Sequence, residues 1–261
     1  VKPPQGWTRT SFRRASLAGW MTDTRDGAGN LVARVIVNRL WHHHFGRGLV
    51  ATPNDFGTQG EDPTHPQLLD WLAQRLLDSG WRLKPIHRLL LTSSVYCQDG
   101  RGDDSRRDRD LENRFWWHRP RRRLEAEAIR DALLSVSGRL DPGMYGPGTL
   151  DENSPRRSVY LKVKRSRLAP TMMLFDWPEH LVSIGRRANT TTAAQALAFM
   201  NSPAGRGYAE SLADRLPADS GRAVTRAWQL ALGRMPRSDE QAAVAVFLER
   251  QERIYRVAGR T

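Results

Sequence analysis

The stretch from Ala33 to Gly57, ARVIVNRLWHHHFGRGLVATPNDFG, holds the densest set of side chains that could do chemistry. His42, His43 and His44 are consecutive, and Asp55 and His65 follow in the next loop. Successive residues of a regular helix point about 100° apart, so three adjacent histidines cannot close on one ion. The helical zinc pattern needs histidines four apart, and that spacing is absent. A site can still take one of the three, His42 or His44 for a metal or His43 for proton transfer, together with Asp55 and His65, since a catalytic zinc needs three protein ligands. The simpler reading is a helix end with one buried histidine, two solvated ones and no metal.

Other motifs are fragments. Asp55-Phe56-Gly57 matches three residues of a kinase magnesium motif without its phosphate loop, lysine or catalytic loop. Asp55 reads instead as the acceptor of a tight turn, with Gly57 supplying positive φ. Gly46-Arg47-Gly48 lacks the Gly-Lys-Ser/Thr that completes a phosphate loop. Glu127 and Asp131 lie four apart, as an acid–base pair on one helix face would, but Arg123 and Arg130 at neighbouring positions favour an ion-pair network. Arg119, Arg121, Arg122 and Arg123 beside Trp116 and Trp117 could grip phosphates and stack bases. A solvated basic turn is the commoner meaning, and no nucleic-acid-binding signature accompanies them. There is no G-x-S-x-G elbow, and Cys97 has no local protease signature.

These residues must be positioned by a core, and the chain can build one. It has 261 residues, 39% of them hydrophobic, with nine Trp. Its net charge is +13, from 41 Lys and Arg against 28 Asp and Glu, which suits an anionic partner or an acidic neighbouring domain. The single cysteine excludes an intrachain disulfide and a C-x-x-C-H haem attachment, so this chain carries no cofactor of that kind. No apolar run reaches transmembrane length. Beginning at Val1 without a signal peptide, the chain reads as a fragment of a larger protein.

Periodicity and punctuation predict a mainly α, multi-helix domain with a small β element. After a polar lead-in at residues 1–10, a short helix covers about 12–21. Leu31 to about His44 is the next, with Val32, Val35, Ile36, Arg39, Leu40 and Phe45 near one face and Arg34, Asn38 and Trp41 flanking. Asn38 and Arg39, polar in mid-helix, must find partners or face a cleft. Pro66 opens a helix that Ser79-Gly80 stops, and Lys84–Ser94 is another. Residues 124–140 form a helix with Leu124, Ala128, Ile129, Ala132, Leu133 and Val136 inward. Ser158–Lys164 alternates as a strand, pairing near Met173–Phe175 or near Leu49. A Thr190–Thr192 cap precedes a helix from Ala193, and three more helices lie at about 204–215, 221–232 and 238–257. The charged segment 99–114 connects an N-terminal part, 1–98, to a C-terminal part, 115–261, of one continuous domain.

Several segments together carry a resemblance: ARVIVNRLW, FGRGLVATPNDFG, PTHPQLLDWLA, GWRLKPIHRLLLTSSVY, RRRLEAEAIRDALLSVSG, RRSVYLKVKR, Phe175-Asp176-Trp177-Pro178, TTTAAQALAFMNSP and ALGRMPRSDEQ. In this order they resemble the planctomycete-type domain of unknown function 1553 over nearly the whole chain. Cys97 stands where the family pattern has Arg after Tyr. The resemblance implies the C-terminal domain of a large exported protein, periplasmic or at the cell surface, with any haem c on an upstream domain and often a concanavalin-like sugar-binding module. It implies no established activity.

The leading expectation is therefore an accessory module docking on upstream domains of its own polypeptide or on an anionic polysaccharide, with Asn38, Arg39, Trp41, Arg122 and Arg130 as binding candidates. The alternative is a hydrolase acting on polysaccharide or its sulfate esters through Asp55, His65 and His43. Nucleic-acid binding ranks third.

Overall fold

The computed structural model describes residues 11–101, 104–179 and 183–257, and the polar lead-in at residues 1–10 lies outside them. The described residues are mainly helical and divide into two compact units: one up to Arg122 together with Ser183–Arg186, the other the remainder.

The first unit is built on α2 (Gly29–Phe45), which packs against α1 (Arg13–Thr22), α3 (Pro66–Asp78) and α4 (Leu83–Leu91). Ala33, Val37, Trp41 and Phe45 recur every fourth residue on α2 and form its buried ridge. They meet Leu69, Leu72, Ala73 and Leu76 of α3, and Ile86 and Leu90 of α4. Small Ala33 at one end of the ridge leaves room for the neighbouring helix. The buried ridge therefore lies one position round from the expected one: Val32, Val35, Ile36 and Leu40 are only half-buried, while Trp41 and Asn38 are buried. Arg39, expected with Asn38 to find partners or face a cleft, is exposed. The segment 99–114, apart from 102 and 103, lies within this unit and holds the short α5 (Asp104–Arg107).

The second unit is built on α6 (Ala126–Ser137), with α7 (Pro170–Leu174) and α9 (Pro203–Ala213) against it and α8 (Ala193–Asn201) on α9. Thr192 caps α8 in a reciprocal box with Gln195, which satisfies two orphan donors of the first turn. The pair α10 (Ser220–Leu232) and α11 (Ser238–Val257) forms a hairpin through Gly233, whose positive φ of 66° ends α10. On α6 the buried positions are Ala126, Arg130, Leu134 and Ser137, whereas Leu124 lies N-terminal to the helix and, like Ala128 and Ala132, is exposed.

The strand expected at Ser158–Lys164 is not formed. Ser158–Tyr160 is a 3-10 turn, followed by isolated bridges at Thr149–Leu161 and Lys164–Arg167. The cause is a tertiary contact: Asp131 accepts hydrogen bonds of 2.7 Å from both the backbone N–H and the hydroxyl of Ser158, pulling that residue onto α6. Val159 and Val163 then face solvent rather than a second strand. The proposed partner near Met173 belongs to α7.

Candidate functional site

In the first unit the C-terminus of α2 and the loop after it form one locked corner. The Asn38 amide donates to the Val50 carbonyl at 3.0 Å and accepts from the Val50 N–H at 2.9 Å, with Asn38 fully buried. A side-chain amide thus imitates one rung of a β ladder and brings Val50 into the core. Gly46 ends the helix at φ 87°, donating its N–H to His42 O at 2.7 Å. Gly48 is required for a different reason: a Cβ there would lie 2.8 Å from both amide atoms of Asn38 and 2.4 Å from Val50 O.

The loop beyond is closed by its own side chains. Asp55 Oδ1 accepts from Gly57 N at 2.8 Å, so the expected Asx turn is present, but Gly57 is not at positive φ. Thr52 Oγ1 donates to Asp55 O at 2.9 Å and accepts from Glu61 N at 3.0 Å. Thr64 N and Oγ1 both donate to Leu49 O, at 2.9 and 3.3 Å.

The three histidines go different ways. His43 is exposed, and its carbonyl accepts from Arg122 at 2.6 Å, a cation meeting the negative end of α2. His42 is half-buried, edge-on to His43. His44 is half-buried too, and its Nε2 lies 2.8 Å from Nδ1 of His87 on α4. No one of the three is buried, so the expected single buried histidine is absent. Burial lowers the pKa of His44, and the nearby His87, Arg122, His43 and Arg119 lower it further. His65 pairs with the Thr64 hydroxyl at 3.0 Å and lies edge-on to Phe115. Asp55, His65 and the histidine run are thus held by separate partners. Among the described residues no group of three or more His, Cys, Asp or Glu is placed to hold a metal ion.

Trp41 and Trp116 are core residues. Trp41 stacks on Phe45 with centroids 4.2 Å apart and meets Trp116 edge-on at 5.4 Å, so neither offers a face to a ligand. Arg119 lies over the Tyr96 ring at 3.7 Å and donates to Tyr96 O at 2.8 Å.

In the second unit the carboxylates of α6 are taken up by cations. Arg187 holds both oxygens of Glu127 at 2.8 and 2.9 Å, and the Trp177 indole donates to one of them at 2.9 Å. Burial raises the Glu127 pKa, but these donors and the Arg187 charge outweigh it, and the net shift is downward. Arg123 pairs with Asp176, which sits at φ 62° and also accepts from the backbone N–H and hydroxyl of Thr190. Arg130 is buried and gives its N–H groups to Glu152 O, Ser154 O, Arg156 O and Ser158 Oγ, with Asp131 3.7 Å away. Glu127 thus anchors Arg187 and Trp177 to α6, and Asp131 anchors Ser158.

A family model described as "Protein of unknown function (DUF1553)" matches residues 13–248, most of the chain. The chain belongs to this family. No curated protein and no solved structure matches it.

Three features of this DUF1553 domain escaped the sequence. No spacing ties His87 to His44, 43 residues away, or Arg187 to Glu127, 60 residues away. Between α6, α7, α8 and α9 lies a hollow of about 310 Å³, lined mainly by apolar side chains. No helix among the described residues is long and apolar enough to cross a membrane.

Proposed function

We propose that this DUF1553 domain is a non-catalytic docking module, and that its docking surface is the outer face of α11. One observation carries the reading. α11 is twenty residues long and packs against α10, turning half-buried Val244 and Gln251 inward. A second apolar stripe, Ala243, Phe247, Ile254 and Val257, points to solvent with Val246 beside it, and Phe247 and Val257 are 56% and 86% exposed. With Arg250, these positions recur at intervals of four, three, four and three, the spacing that packs one helix along another. Exposed apolar patches of this kind mark surfaces that a partner covers.

Arg250 interrupts the stripe and has no partner among the described residues. An apolar helix carrying an acidic side chain at that level is the matching surface. The family resemblance adds the source: an upstream domain of the same exported, periplasmic or cell-surface polypeptide, which also bears any haem. The basic balance and the exposed Arg39, Arg121 and Arg122 favour anionic polysaccharide as a further ligand. No comparable observation favours a hydrolase, because Asp55, His65 and His43 are each held by different partners.

The test is co-purification of the chain with the upstream region of its polypeptide. The double substitution Phe247→Glu, Ile254→Glu should abolish the complex and change folding stability by no more than about 0.5 kcal/mol, as surface replacements do. An unchanged complex would overturn the reading.

A further inference from the structure

The second unit contains a hollow that the ion-pair networks do not use. Its floor is Met172, 1% exposed, and Phe175, 6% exposed, with Phe199 lying 5.1 Å from the Phe175 ring. Alanines 126, 198 and 204 keep its walls short. At about 310 Å³ it is many times the volume of one water. It falls at the lower end of the size range of small-molecule sites, and it has their composition, apolar walls with a few convergent polar groups.

The polar groups decide what could enter. Arg130 lines the hollow, but its five N–H groups are committed to three carbonyls and the Ser158 hydroxyl. It has no hydrogen bond left for an anionic head group, and Asp131 at 3.7 Å balances its charge. Ser202 Oγ already accepts from Gly205 N at 3.0 Å. Glu152 differs: Oε2 accepts from Thr171 N at 3.2 Å at the start of α7, while Oε1 has no partner among the described residues. Asn153, Thr171 and Tyr208 also line the hollow but are uncharged, so the open charge in the lining, among the described residues, is the negative one of Glu152.

We propose that this hollow is a binding site for a small molecule with an aryl or alkyl body and an uncharged or cationic head that donates a hydrogen bond to Glu152. The apolar body fills the space between α6 and α8, and the Glu152 carboxylate rejects an anionic head. The site stands independently of whatever covers α11.

Three probes sharing one body, phenylbutanol, phenylbutylamine and phenylbutyrate, titrated into the full chain by calorimetry and by methionine-methyl NMR, test it. The alcohol and the amine should bind, and the carboxylate should bind at least about tenfold more weakly. Glu152→Gln should remove that discrimination. Ala198→Phe should abolish binding of all three, and Ala204→Leu, at an exposed rim position, serves the same purpose should the first variant fail to fold. Equal binding of alcohol and carboxylate to the unsubstituted chain, no binding of any probe at millimolar concentration, or binding unaffected by a folded filling variant would each overturn the proposal.

Discussion

The Asn38 side-chain amide pairs in both directions with the backbone of Val50, twelve residues away, inside the core of the first unit. Replacing Asn38 with Ala leaves a buried N–H and a buried C=O without partners, at roughly 1–3 kcal/mol for each such group. The expected loss is about 2–6 kcal/mol, read as a fall in the urea midpoint. Gly48→Ala should cost about 1–3 kcal/mol, because its Cβ would press on the same amide. The double variant should cost less than the sum, since Ala at position 38 removes one of the two obstacles. Strict additivity would show that the two residues do not share one contact.

A second consequence concerns pH. His44 titrates in the folded chain below its ordinary value of 6.5, because burial disfavours the cation and His87, Arg122, His43 and Arg119 add positive charge around it. Tyr96 also packs edge-on against its ring. The unfolded chain then binds the proton more readily than the folded one. The stability that neutral His44 contributes is complete above the unfolded value, about 6.5, and is lost as pH falls through the lower folded value. Urea midpoints should therefore decline as pH falls below about 6.5, and His44→Gln should flatten that slope. A slope of the same size in the variant would place the titrating group elsewhere.

How far these features could be read in advance depended on whether the signal was local. Helix ends were legible, since Pro66, Ser79-Gly80 and the Thr190–Thr192 cap act within a few residues. The need of Asn38 for a buried partner followed from its place in an apolar helix, though Val50 as that partner did not. The strand at Ser158 failed because Asp131, 27 residues earlier, outcompeted sheet pairing for its backbone N–H. The histidine run drew attention by composition, yet the structural pair is His44 with His87, which only the packing of α4 on α2 creates. The apolar face of α6 was displaced for a similar reason: its centre is Arg130, a residue that hydrophobicity alone sends to the surface.

Arg130 provides the sharpest stability test in the second unit. Its side chain is 7% exposed, and its five N–H groups tie the loop at 152–158 to α6. Truncation to Ala would strand three carbonyls and leave the partly buried Asp131 with Arg157 as its remaining guanidinium neighbour, so a loss of about 3–5 kcal/mol is expected. Lys is the informative replacement. It keeps the charge near Asp131 but offers three donors on a flexible stem where Arg offers five in a planar fork. If the fork is what holds the loop, Arg130→Lys should recover little of the loss, and amide exchange at Ser158 and Leu161 should accelerate in both variants. A lysine variant within about 0.5 kcal/mol of the unsubstituted chain would mean that charge alone organises this loop.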